Sequence, residues 1–224
     1  GRHRLRPILL PIESRTASGG TQPAEPPSST EDGGGSPAAQ GGVPAQLRAH
    51  LYALAKGCIP HFDPAPEDVV GCGDIASCFA KLEAVGVKLA VCTSDDRNVT
   101  SRMLEVLGVD HFVQTMACGD DPGIRQKPAP DGILQICQDL AVPVGRSVMV
   151  GDSLTDIQAG IAAGCGGLIF VLSGHLCGTA AEFWAALEAT EFWTEKIRSE
   201  GSDEYWKSRI QVLQSVDDIV LDEF

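Results

Sequence analysis

The chain has 224 residues, enough for one domain with additions or for two small ones, and carries a net charge of −13. That acidity argues against a nucleic-acid surface, and no run is long and apolar enough to cross a bilayer. The eight cysteines form no Cys-x-x-Cys pair, and several sit inside apolar runs, which fits packing residues in a reducing, cytoplasmic compartment rather than a disulfide framework.

The first residue is Gly rather than Met, so the sequence reads as a fragment or a processed form. Its opening, Arg2-His3-Arg4-Leu5-Arg6, is basic but too short to read as a targeting peptide, and an organelle signal upstream of it stays open. Ile8-Leu9-Leu10 predicts a short strand that Pro11 interrupts. Residues 17–44 are Gly, Pro, Ser, Ala and Thr with almost no large apolar side chain. They bury too little surface to offset ordering entropy, so residues 1–44 read as a largely disordered segment. Leu47, Leu51, Leu54 and Ala55 share one helical face and predict a helix over 45–58. Ile75, Phe79 and Leu82 do the same over 74–85, where Gly86 supplies the stop.

A regular alternation follows. Strands are predicted at 87–92, 111–116, 147–150 and 168–172, with helices at 98–107, 131–140 and 157–163. Continuous apolar strands joined through helices by short loops predict an α/β fold, a Rossmann-like parallel sheet covered on both faces, over residues 86–175. From residue 176 onward the chain changes character, with eleven acids against four bases and all three tryptophans. Residues 180–198 read as one amphipathic helix whose buried face is Phe183, Leu187, Trp193 and Ile197. A helical segment over 176–224 that packs on the core is preferred to a partner-binding surface.

Ligands in an open α/β sheet bind beyond the carboxyl ends of the strands. Those ends carry Thr93-Ser94, then Lys127-Pro128-Ala129-Pro130, then Gly151-Asp152 with Asp156 one helical turn behind. If the strands are neighbours, hydroxyls, an ammonium and two carboxylates converge there. That set suits a phosphoryl group: Thr93, Ser94 and Lys127 for its oxygens and charge, and Asp152 and Asp156 for a magnesium ion. Plainer roles stay open for the same residues. Thr93 could cap a helix and Lys127 could be an ordinary loop lysine. Asp152 or Ser153 could cap the next helix, with Asp156 as a first-turn acid. Asp120 and Asp121, before Pro122-Gly123, are most simply turn residues. Cys92 and Cys118 read as packing residues, and His175 could edge the crevice.

Over about residues 68–175 these motifs, in this order, resemble the haloacid dehalogenase-like hydrolases, in particular the branch of phosphoglycolate phosphatases and β-phosphoglucomutases. Leu89-Ala90-Val91-Cys92-Thr93-Ser94 is similar to the family's second motif, whose hydroxyl binds the phosphoryl group. Lys127-Pro128-Ala129-Pro130 is similar to the third, whose lysine steadies nucleophile and phosphate. Gly151-Asp152-Ser153-Leu154-Thr155-Asp156 is similar to the fourth, whose acids hold magnesium. The resemblance implies magnesium-dependent hydrolysis of a small phosphorylated metabolite, of the phosphoglycolate or sugar-phosphate type, with catalytic roles for Thr93 and Lys127. It also implies a cap domain, of which residues 45–85 would be a reduced helical remnant.

The family's first motif is an apolar strand followed by Asp-x-Asp-Gly-Thr, and its first Asp attacks phosphorus. The best match is Ile8-Leu9-Leu10-Pro11-Ile12-Glu13, which sets Pro11 at the nucleophile and Glu13 at the acid/base. Proline cannot attack phosphorus. An incomplete reading frame would account for the departure. So would a non-catalytic relative that binds phosphate or a protein partner without turnover.

Overall fold

The computed structural model describes Ile8, Leu9, Pro66, Val69, Gly71 and residues 73–173, 178–200 and 203–220, without the side chains of Ile8, Leu9, Ile197 and Glu200. These residues belong to one compact unit spanning Gly1–Arg15 and Pro64–Phe224. The expected helix at 45–58, the stretch 17–44, Pro11, Glu13 and His175 lie outside the described residues.

The elements, in chain order, are β1 (Ile8–Leu9), α1 (Ile75–Ala84), β2 (Leu89–Cys92), α2 (Arg97–Leu107), β3 (Val113–Ala117), α3 (Asp131–Asp139), β4 (Val148–Gly151), α4 (Leu154–Ala163), β5 (Gly167–Val171), α5 (Ala180–Glu188), α6 (Glu191–Glu200), α7 (Asp203–Lys207) and β6 (Ile210–Leu213). The strands form one parallel sheet in the order β3-β2-β1-β4-β5-β6. Ile8 pairs with Leu89 on one side and with Val148 on the other. The two-residue β1 therefore lies between the two strands that carry Thr93 and Asp152 at their ends.

Side chains alternate across a strand, and β2, β4 and β5 each feed two cores. Leu89, Val91, Val148, Val150, Ile169 and Val171 pack with Phe79 and Leu82 of α1 and Met103 and Leu104 of α2. Ala90, Cys92, Met149, Leu168 and Phe170 pack on the opposite face with α3, α4 and the C-terminal helices. Burial on both faces is why the strands read as unbroken apolar runs. Local signals set the helix limits. Asp74 Oδ1 accepts from Ser77 N at 3.0 Å at the start of α1, and Gly108 and Gly164 close α2 and α4 in the left-handed conformation.

Three local expectations are corrected. Residues 110–112 form a 3-10 turn, so the strand predicted from His111 starts at Val113. The single helix expected over 180–198 is two, α5 and α6. Thr190 ends the first by donating from Oγ1 to Leu187 O at 2.7 Å, and starts the second by accepting from Trp193 N at 3.2 Å. The C-terminal segment is not wholly helical: Ile210–Leu213 adds β6 beside β5 at the sheet edge. Phe183, Leu187 and Trp193 are buried as expected, with the Phe170 and Phe183 rings 4.2 Å apart. Among the described residues no helix is long and apolar enough to cross a membrane. Cys78, Cys92, Cys118, Cys137 and Cys165 are buried free thiols, as packing residues would be.

Candidate functional site

Thr93 follows directly on β2 and is buried. Its backbone N–H extends the ladder by donating to Ala117 O at 2.9 Å. The chain then turns on its own side chain: Thr93 Oγ1 accepts from Asp95 N at 3.0 Å and donates to Asp95 Oδ2 at 3.3 Å. Ser94, between them, is exposed. Burial raises the pKa of Asp95, Thr93 and Lys127 act against that rise, and Asp96 adds to it.

Lys127 lies in the loop between β3 and α3 and reaches back across the strand ends. Its Nζ donates to Cys92 O at 3.3 Å and to Asp156 Oδ1 at 2.5 Å. Cys92 closes β2 and Asp156 lies in the first turn of α4, so the ammonium bridges the structures that flank β1. Both partners are enclosed, with 7% of the Lys127 side chain and none of the Asp156 side chain exposed.

Asp156 has a second duty. Ser153 is the N-cap of α4 and Asp156 its third residue, and the two form a reciprocal capping box. Asp156 Oδ2 accepts from Ser153 N at 3.0 Å and from Ser153 Oγ at 2.7 Å. Its two oxygens thus serve Lys127 and the helix start. Gly151 makes this possible, because a Cβ at that position would overlap the Asp156 side chain. Asp152 stands between β4 and α4 and is 6% exposed. The structure therefore joins Lys127 directly to Asp156 and to the carbonyl of Cys92, the residue before Thr93, and sets Asp152 at the adjacent strand end. Cys92 and Cys118 lie close by, but burial pushes both thiols up to about 11, so neither is a thiolate nucleophile near neutrality.

Sequence reading missed one device, a clamp between the loops after β2 and β3. Arg97, the first residue of α2, donates from Nε to Asp121 Oδ1 at 3.0 Å and from Nη2 to Asp121 Oδ2 at 2.7 Å and Met116 O at 2.9 Å. Asp120 Oδ1 accepts from Arg97 N at 2.8 Å. Asp121 Oδ2 also accepts from Cys118 N at 2.8 Å. The loops touch along their backbones, with Gly119 N donating to Asp95 O at 2.8 Å. No side chain fits at Gly119, since a Cβ there would overlap Ser94 O. Burial raises the Asp121 pKa, but Arg97 and the Cys118 N–H outweigh it and hold the carboxyl below its usual value. A depressed carboxylate stabilises above its unfolded pKa and loses that contribution as pH falls. Arg97→Met is expected to cost about 1–3 kcal/mol at neutral pH and to flatten the acid limb of a stability–pH curve, as chemical denaturation at several pH values would show.

Compared with known proteins, residues 61–169 match the family model described as haloacid dehalogenase-like hydrolase. That span includes Thr93, Lys127, Asp152 and Asp156. Over 103 residues the chain is 35% identical to a phosphoglycolate phosphatase of Neisseria meningitidis, covering 46% of this chain and 40% of that one. Over 91 residues it is 32% identical to the phosphoglycolate phosphatase of Escherichia coli K12, covering 41% and 36%. The chain thus spans well under half the length of these curated relatives. A hydrolase structure from Pseudomonas syringae superposes with a TM-score of 0.50 at 20% identity, covering 68% of this chain and 60% of that one, a likeness of fold alone.

Proposed function

The chain carries a haloacid dehalogenase-like hydrolase domain, and on that premise we propose that its strand-end crevice takes a small phosphate monoester of the phosphoglycolate or sugar-phosphate type. The observation that carries this reading is the buried Lys127 ammonium, fixed by Asp156 and by the carbonyl of Cys92, the residue that precedes Thr93. Thr93 and Ser94 would donate to phosphoryl oxygens, and Lys127 would act on them as a point charge.

Magnesium belongs to the same proposal. Both Asp156 oxygens are engaged, and among the described residues no group of three His, Cys, Asp or Glu side chains could hold a metal ion. Magnesium keeps several waters and needs only one or two carboxylates beside phosphate. Asp152 is the carboxylate we assign to it, while Asp156 stays with Lys127. When bound, the ion would supply positive charge to the phosphoryl oxygens. Millimolar magnesium should then raise the melting temperature of the chain, since a ligand of the folded state stabilises it by mass action. Differential scanning fluorimetry should show that rise shrinking for Asp152→Asn and persisting for Asp120→Asn. Equal rises in the parent and Asp152→Asn would remove Asp152 from the metal assignment.

A second reading, binding without covalent turnover, is favoured by one observation. β1 lies between β2 and β4, and the residues after it in sequence are Leu10-Pro11-Ile12-Glu13, with no aspartate to attack phosphorus. We propose that this sequence holds its ligand on Thr93, Ser94 and Lys127 without forming a phospho-aspartyl intermediate.

A further inference from the structure

Thr93 has one hydroxyl proton, and Asp95 holds it. The donated contact, at 3.3 Å, is long for O–H···O, so the hydroxyl can turn to another acceptor at small cost. The Asp95 backbone cannot follow it readily. Gly119 N–H holds its carbonyl at 2.8 Å, and its own N–H is held on Thr93 Oγ1 at 3.0 Å. Lys127, the cation that faces Asp95, already has Asp156 at 2.5 Å. A phosphoryl oxygen that accepts from Thr93 therefore arrives beside a carboxylate that has just given up a donor.

Resting on the reading that Thr93 and Lys127 take a phosphoryl group, we infer that Asp95 is a specificity-determining residue of that site: it favours phosphate monoesters with a hydroxyl or ammonium close to the phosphate and disfavours those with a carboxylate there. A carboxylate is an acceptor only, so a hydroxyl or ammonium on the ligand replaces the donor that Thr93 withdrew. A ligand carboxylate instead adds a like charge beside Asp95 and returns no hydrogen bond for the one that Thr93 withdrew. Selectivity from a polar group left unmatched exceeds what a change in apolar size gives.

Glycerol 3-phosphate and 2-phosphoglycolate are suitable probes, because both are short and one offers hydroxyls where the other offers a carboxylate. Dissociation constants for both, and for inorganic phosphate, are measured by calorimetry in magnesium buffer on the full chain and on Asp95→Asn, Asp95→Ser and Thr93→Val. The parent is expected to bind glycerol 3-phosphate about tenfold more tightly than 2-phosphoglycolate. In both Asp95 variants that ratio should collapse to within about twofold, chiefly through tighter 2-phosphoglycolate binding. A ratio unchanged in the Asp95 variants, or a parent that prefers 2-phosphoglycolate, overturns the inference. Failure of the underlying reading looks different: the parent binds none of the three, or Thr93→Val binds all three as the parent does. Either result removes the phosphoryl site and the role of Asp95 with it.

Discussion

Lys127→Met is expected to destabilise the chain by about 3–5 kcal/mol, the usual consequence of leaving one member of a buried ion pair without the other. Asp156 has no solvent exposure to relieve its charge. Its Oδ2 keeps the two Ser153 contacts, but Oδ1 loses the ammonium at 2.5 Å. Adding Asp156→Asn should restore more than half of the loss, because Asn retains a side-chain oxygen for the helix start and carries no charge. Urea denaturation of the parent, the single and the double variant gives the comparison. If the double variant is no more stable than Lys127→Met, charge is not the reason for the loss. Lys127 would then matter through its stem and its contact with Cys92 O.

The largest effect on activity is expected at positions 11 and 13. The chain as it stands should hydrolyse 2-phosphoglycolate and sugar phosphates no faster than buffer with magnesium. A covalent mechanism without its nucleophile forfeits on the order of 10^5-fold or more in rate. Joint substitution Pro11→Asp and Glu13→Asp, which writes the family's Asp-x-Asp after β1, should raise turnover by roughly two orders of magnitude or more. Phosphate release over time measures both. Parent turnover at a rate ordinary for phosphatases, abolished by Thr93→Val, would show that another residue attacks and that Pro11 is no obstacle.

The alternation from β2 to β5 was legible because β2, β4 and β5 are apolar on both faces and a single α-helix lies in each crossover between consecutive strands there. β2, β4 and β5 lie within one or two residues of their predicted limits. β6 was not legible. Its four residues, Ile210 to Leu213, sit in an acidic stretch and owe their strand conformation to pairing with Leu168 to Val171, some forty positions away. The break at Thr190 was equally silent, since it uses a threonine cap with neither Gly nor Pro. At the site, sequence placed Thr93, Lys127, Asp152 and Asp156 at strand ends but could not say which would meet. That Asp156 serves Lys127, 29 residues away, is a tertiary fact. So is the Arg97–Asp121 clamp, across 24 positions. Asp95 gave a weaker signal still, because its turn back onto Thr93 follows from backbone geometry that two consecutive aspartates do not announce.

The most direct test of the central claim is a titration of isotope-labelled chain with inorganic phosphate in magnesium buffer, followed by amide and lysine ammonium NMR signals. Saturable shifts confined to the Thr93–Asp95 amides, the Lys127 ammonium and the start of α4, and absent in Thr93→Val, are predicted. Shifts that never saturate, that lie elsewhere on the sheet, or that persist unchanged in Thr93→Val would contradict the account.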